Sequence, residues 1–490
     1  MLFNSLEFLI FFPAVTLVYF LIPHKIRYLW LLGASYYFYM CWNPRYALLM
    51  AASTFFTWLG GLVISKTENP RTRKAAVGLN FAVNLLILFF FKYFYFTVDN
   101  VNSLLALLHI APVSPRFDVI LPVGISFYTF QALGYTVDVY RGDIAHEKNL
   151  LRYALFVSFF PQLVAGPIER SQNLIHQLRE KHTFSYDRAV SGILLMLWGY
   201  FQKLVIADRA AILVDTVYKT PADFFGFHFV VATLLFAVQI YCDFSSYTTI
   251  ARGAARVMGF ELMDNFNVPY MADSIGDFWR RWHISLSGWF RDYLYIPLGG
   301  NRRGKARKYL NNMIVFAASG LWHGADWTYV VWGVLHGVYR VAGEITLGAR
   351  KLVCRLLNID RSRPAYRAFS VFFTFLLVCI TWIFFRAGSI FDAVFILRRI
   401  FLDFRPELFF GGGLVKMGLG AADLFVLFAA IGVLIFADSV KYRKIGANAA
   451  IMNMNILARF AVMLTLLFTT LIFGIYGADY SASQFIYFQF

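Results

Sequence analysis

Gly320-Leu321-Trp322-His323-Gly324-Ala325-Asp326-Trp327 sets one histidine, with a carboxylate three residues on, inside a run that otherwise reads as membrane-spanning helix. Desolvating an ionisable side chain in hydrocarbon is costly, so an intramembrane His–Asp pair marks a reaction site or a transport path. His323 is therefore the first candidate catalytic residue. Asp326 is a second, because residues three apart on a helix can touch and the carboxylate would orient the ring. Gly324 between them favours a helix break, and the competing role of Asp326 is a helix cap.

The chain around this stretch is apolar almost throughout. Of 490 residues, 59% are hydrophobic and only 15% charged, which leaves too little polar surface for a water-soluble globule. Segments long enough to cross roughly 30 Å of hydrocarbon recur at 4–22, 28–43, 47–65, 75–97, 188–207, 228–250, 367–386, 421–438 and 457–476. Stretches at 119–139, 151–168, 272–298 and 310–348 are interrupted by Gly, Pro or charge. They suit re-entrant or protein-enclosed helices, since broken backbone cannot face lipid. The expectation is an all-α polytopic membrane protein of about a dozen transmembrane and re-entrant helices, forming one domain over 1–490 with a short aromatic motif at 485–490. The first segment lacks a basic start and a cleavage site, and is expected to remain as the first span. Cys41, Cys242, Cys354 and Cys379 are widely spaced, which indicates neither a zinc site nor a disulfide framework; no metal is expected.

The net charge is +17, and the basic residues cluster at 24–27, 66–74, 302–308, 350–367 and 441–444. These clusters sit in short connectors between apolar spans with no continuous basic face, which argues for membrane topology and against nucleic-acid binding. With the clusters cytoplasmic, the spans between them close in parity when both termini are extracytoplasmic. A helix starting near Tyr309 would then climb about 1.5 Å per residue and carry His323 roughly 20 Å into the bilayer.

A second histidine lies in Asp277-Phe278-Trp279-Arg280-Arg281-Trp282-His283-Ile284-Ser285-Leu286-Ser287-Gly288-Trp289-Phe290-Arg291-Asp292-Tyr293. At about 100° per residue, Trp279, His283, Leu286, Phe290 and Tyr293 would share one stripe of a continuous helix. The bland reading is an interfacial amphipathic helix with a hydrogen-bonded histidine; the companion histidine in the other segment favours a functional one.

Taken together, these residues resemble the membrane-bound O-acyltransferase (MBOAT) family in its bacterial alginate O-acetylation (AlgI-like) branch. The matching motifs are Leu121 to Gln131, Phe160 to Ile168, Tyr241 to Tyr247, Phe278 to Gly300 and Gly320 to Gly337. The chain is similar in the same places to the teichoic-acid D-alanylation (DltB-like) proteins. The resemblance implies helices around a central tunnel, His323 as the catalytic residue of the Trp-His-Gly motif, and His283 as a second functional position. It also implies that Tyr487, in the aromatic stretch Phe485-Ile486-Tyr487-Phe488-Gln489-Phe490, is a candidate acyl acceptor; from composition alone that stretch would anchor in the interface.

Chemically, acyl transfer to a hydroxyl requires removal of the nucleophile's proton, and a neutral imidazole suits that task. His336 is the alternative ionisable centre. Its separation of about 220° from His323 on a continuous helix argues for a structural hydrogen bond. His24, His146, His176 and His182 fall in connectors. Asp243 reads either as part of an acceptor route or as a helix-end polar group, and Asn265 and Asn267 are undecided.

The expected function is therefore movement of an acyl group, acetyl in the first instance, across the bacterial inner membrane for O-acylation of an extracellular polysaccharide. The donor would be acetyl-CoA or another acyl thioester on the cytoplasmic side. An extracytoplasmic acyltransferase or polysaccharide-synthesis protein would be the partner. D-alanyl transfer to teichoic acid is the nearest alternative. A transporter or flippase is the alternative of another class, weakened by the lack of an inverted-repeat pair of broken helices.

Overall fold

The computed structural model describes residues 1–115, 119–409, 411–443, 445–476 and 485. Among them the regular structure is helical throughout. Two compact units emerge, one from Met1–Met196 with Ile250–Met263, the other from Leu197–Thr249 with Asp264–Phe490.

The first unit contains α1 (Leu6–Leu21), α2 (His24–Met40), α3 (Pro44–Lys66), α4 (Pro70–Leu107), α5 (Ile125–Arg141), α6 (Leu150–Ser158), α7 (Ser171–Gln177) and the start of α8 (Tyr186–Lys219). The second holds the rest of α8 and most of α9 (Gly226–Met258). It continues with α10 (Ile275–Arg281), α11 (Ile284–Phe290), α12 (Gly304–His323), α13 (Trp327–Ile345) and α14 (Leu347–Leu356). Helices α15 (Pro364–Arg386), α16 (Ile390–Leu402), α17 (Ala421–Tyr442), α18 (Ala447–Met452) and α19 (Ile456–Phe473) complete it. Seven of these, α3, α4, α8, α9, α15, α17 and α19, are long and apolar enough to cross a membrane, and α1 is a shorter apolar helix. The 28–43 segment lies largely in α2, which starts earlier, at His24, and ends at Met40, while the spans at 75–97 and 188–207 are extended into helices of 38 and 34 residues.

Local chemistry fixes where these helices begin. Asn43 and Asn69 each precede a proline and cap the next helix, accepting from the backbone N–H of Arg45 and Arg71. An oxygen-bearing cap followed by proline at the first helical position satisfies one orphan donor where another is absent by design.

The interrupted stretch at 151–168 is enclosed by protein. In the segment from α6 onward every residue from 153 to 169 is buried, although its backbone leaves the helix at Phe159. The side-chain amides of Gln131 and Gln162 both donate to the Phe156 carbonyl, at 2.7 and 2.8 Å, and Ser35 Oγ accepts from the Phe160 N–H at 3.1 Å. Irregular backbone away from water is tolerated only when satisfied in this way.

One expectation is corrected. Residues 277–293 do not form a continuous helix: α10 stops at Arg281, Trp282 is extended, and His283 adopts a left-handed conformation before α11 begins. The single aromatic stripe read from the periodicity therefore does not exist as one helical face. The break is held by the preceding segment, where the Asn267 N–H donates to the Arg281 carbonyl at 2.9 Å and the Ile284 N–H to the Asn265 carbonyl at 3.0 Å.

Candidate active site

Helices α12 and α13 form a hairpin that ends the first leg on His323. Gly324 is extended and closes α12. The legs meet backbone to backbone, because a Cβ on Gly320 would lie 2.3 Å from the Tyr329 carbonyl oxygen, and one on Gly333 2.3 Å from that of Phe316. Any larger residue at either position would drive the legs apart, so the glycines fix where His323 stands.

The His323 ring is 2% exposed and enclosed by Trp332, Trp322 and Phe385, with ring centroids 4.8, 5.1 and 5.8 Å away. Its Nδ1 lies 2.7 Å from the Ser319 carbonyl oxygen. A carbonyl only accepts, so Nδ1 carries a proton, and in the neutral ring Nε2 then carries the lone pair. This hydrogen bond to the Ser319 carbonyl fixes both tautomer and ring orientation.

Asp326 has a different place from the one a continuous helix would give it. The helix ends between the two residues, and the exposed Asp326 carboxylate caps α13 by accepting from the Thr328 N–H at 2.7 Å. Orientation of the ring falls to the Ser319 carbonyl. The capping alternative weighed from sequence is the arrangement that forms.

His283 is fully buried. Its ring packs 4.7 Å from Phe244, 5.7 Å from Trp322 and 6.2 Å from His323, centroid to centroid. The two candidate histidines are thus brought together from separate elements. With φ 45° and ψ 55°, His283 holds a backbone conformation that costs a non-glycine residue about 1–3 kcal/mol. Asn265 sustains it: its Oδ1 accepts from both the N–H and the Oγ–H of Ser285, at 3.1 and 2.7 Å. Replacing Asn265 by Ala is expected to cost about 1–3 kcal/mol and to lower the transfer rate by about a hundredfold through misplacement of His283. Thermal unfolding in detergent and initial rates check the two effects separately.

His336 is not part of this pair. Trp279 Nε1 donates to its Nδ1 at 3.2 Å, which leaves Nε2–H to donate to Thr381 Oγ1 at 3.0 Å, and that hydroxyl passes on to the Val378 carbonyl at 2.7 Å. The angular argument from one continuous helix does not apply, since His323 and His336 lie on opposite legs of the hairpin. The hydrogen-bonded role expected for His336 is the one observed.

Asp243 belongs to a buried ionic cluster that sequence reading missed. Lys203 Nζ lies 2.6 Å from Asp243 Oδ1 and 2.9 Å from Asp208 Oδ1. The available signal was a lysine inside the apolar span 188–207. Of the C-terminal aromatic motif, Phe485 is buried against Tyr247 and Phe244, at 5.0 and 5.7 Å between centroids. It therefore touches the same phenylalanine that backs His283. Tyr487 lies outside the described residues.

Comparison with known proteins gives this site a family context. The family model described as MBOAT, membrane-bound O-acyltransferase family, matches residues 141–387, a range that includes both histidines. A probable alginate O-acetylase AlgI of Azotobacter vinelandii is 39% identical over 393 residues, covering 80% of this chain and 76% of that protein. The peptidoglycan O-acetyltransferase of Helicobacter pylori is 34% identical over 435 residues, covering 81% and 79%. The teichoic acid D-alanyltransferase of Bacillus subtilis is 30% identical over 243 residues, covering 47% and 60%.

Proposed function

The chain belongs to the membrane-bound O-acyltransferase family, and on that premise we propose that this multi-span O-acyltransferase moves an acetyl group across the bacterial cytoplasmic membrane to O-acetylate an extracellular polysaccharide such as alginate. The observation that carries this reading is the buried His323 ring, its proton held on Nδ1 by Ser319 and its basic Nε2 kept within an aromatic shell beside His283. A fixed neutral imidazole is the base that acyl transfer to a hydroxyl requires.

In the proposed step a hydroxyl oxygen attacks the carbonyl of a cytoplasmic acyl thioester, acetyl-CoA or a related donor, while His323 Nε2 takes the hydroxyl proton. The carbon–sulfur bond breaks, and the imidazolium returns the proton to the departing thiolate. His283 is the second polar group, holding the acyl carbonyl or tuning the His323 ring. Tyr487 is the proposed first acceptor, so that an aryl ester forms and an extracytoplasmic partner passes the acetyl group on to polymer. Burial of Phe485 against Phe244, which itself packs on His283, supports an approach of this C-terminal motif to the site. Both termini are extracytoplasmic in this reading. The acetylases cover about four-fifths of the chain, against 47% for the D-alanyltransferase, which supports acetyl over D-alanyl transfer.

The test is incubation of purified protein with radiolabelled acetyl-CoA, followed by peptide mapping. Label is expected on Tyr487 in the wild type and on no residue of His323→Ala. Tyr487→Phe should abolish polymer acetylation while leaving the melting temperature unchanged; full acetylation by that variant would take the tyrosine out of the mechanism.

A further inference from the structure

We propose that the first unit carries a second, separate ligand site, which binds a phosphate ester in the cavity between the end of α3, the start of α4 and the loop joining α5 to α6. This cavity has a volume of about 670 Å³ and is lined by Lys66, Arg73, His146 and Lys148, with Glu68 as the acidic member of its wall. Three cations facing one carboxylate leave an excess of positive charge. Ile64 and Val139 supply an apolar side.

Two buried donors point to an anion. The Glu147 N–H donates to the Tyr135 hydroxyl at 3.0 Å, so the hydroxyl's own proton goes to His146 Nδ1, 2.8 Å away. Nε2 of His146 must then carry hydrogen. That N–H is buried, in a residue 8% exposed, and has no partner among the described residues. Arg73 Nε is likewise buried without a partner, although Nη2 donates to the Tyr140 carbonyl at 2.8 Å. Buried donors are ordinarily satisfied, and two unmatched ones beside a cationic cavity are satisfied by an acceptor-rich ligand. Burial holds the His146 imidazole below its ordinary pKa; the neighbouring Glu147 carboxylate opposes this, and Lys148 and Lys66 add to it. The ring thus stays neutral, with its single N–H committed to donation.

A phosphate ester matches these features, since its oxygens take several charge-assisted hydrogen bonds at once. Both a phospholipid headgroup and a soluble phosphate present this chemistry. The position at the ends of two apolar spans, with an aliphatic wall, favours the headgroup.

Binding to the full-length protein in neutral detergent, measured by calorimetry, separates the sources. One probe is dihexanoylphosphatidylglycerol and the other glycerol 3-phosphate. Saturable binding by the lipid alone assigns a headgroup site; saturable binding by glycerol 3-phosphate assigns a soluble phosphate ester. In either case the double variant Lys66→Gln/Lys148→Gln, which alters exposed side chains only, should bind about tenfold more weakly. His146→Leu should weaken binding with no change in the lysine-dependent salt sensitivity. Failure of both probes to saturate, or the same affinity in wild type and the lysine variant, would overturn the proposal.

Discussion

Replacing His323 by alanine is expected to lower the rate of acetyl transfer by roughly 10²–10⁴-fold, the range that loss of a positioned general base produces. The side chain is also an aromatic neighbour of Trp322, Trp332 and Phe385, so alanine alone would confound chemistry with packing. His323→Phe separates them. It keeps a ring within the aromatic shell but offers no lone pair, and it leaves the Ser319 carbonyl with its helical partner. Both variants should therefore lose activity to a similar degree, while only alanine should lower the melting temperature appreciably. Initial rates on a saturating thioester, taken with thermal unfolding of each variant, make the comparison. Wild-type rates from folded His323→Phe protein would remove the imidazole from the chemistry.

The sequence made some parts of this site readable and hid others for definite reasons. A histidine in an apolar run is visible because ionisable groups there are rare and costly, and this singled out both His323 and, through its aromatic surroundings, His283. Their proximity was not visible, since it depends on Asn265 holding His283 in a left-handed turn from 18 positions away. Periodicity assumes regular helix, and it failed at Trp282–His283, where hydrogen bonds from another segment replace those of the helix. Asp326 shows the same limit at short range: three-residue spacing permits a contact only on a continuous helix, and the break that Gly324 favoured is the one that forms, with Asp326 as the next helix's cap. The all-helical, multi-span architecture was legible because apolar length dominates everything else in a bilayer. Helix limits were less so, as α4 and α8 run well past the apolar segments that announced them.

Lys203 is the residue whose loss should most damage the fold. It sits in the wide helical turn Phe201–Ala207 within α8, and its ammonium bridges Asp243 at 2.6 Å and Asp208 at 2.9 Å, with all three side chains no more than 8% exposed. Removing Lys203 leaves two buried carboxylates desolvated without the cation they share. Lys203→Met is therefore expected to cost about 3–5 kcal/mol. The same reasoning predicts that Lys203→Met/Asp243→Leu is less harmful than the single lysine change, because the second substitution removes one of the stranded carboxylates. Denaturant unfolding of the single and double variants in one detergent gives the coupling directly. The double variant also distinguishes two roles for Asp243. If the carboxylate serves only to balance Lys203, folded double-variant protein retains acetyl transfer. If it lines the route by which Tyr487 reaches His323, transfer is lost even where stability has been recovered, and the loss appears as missing label on Tyr487.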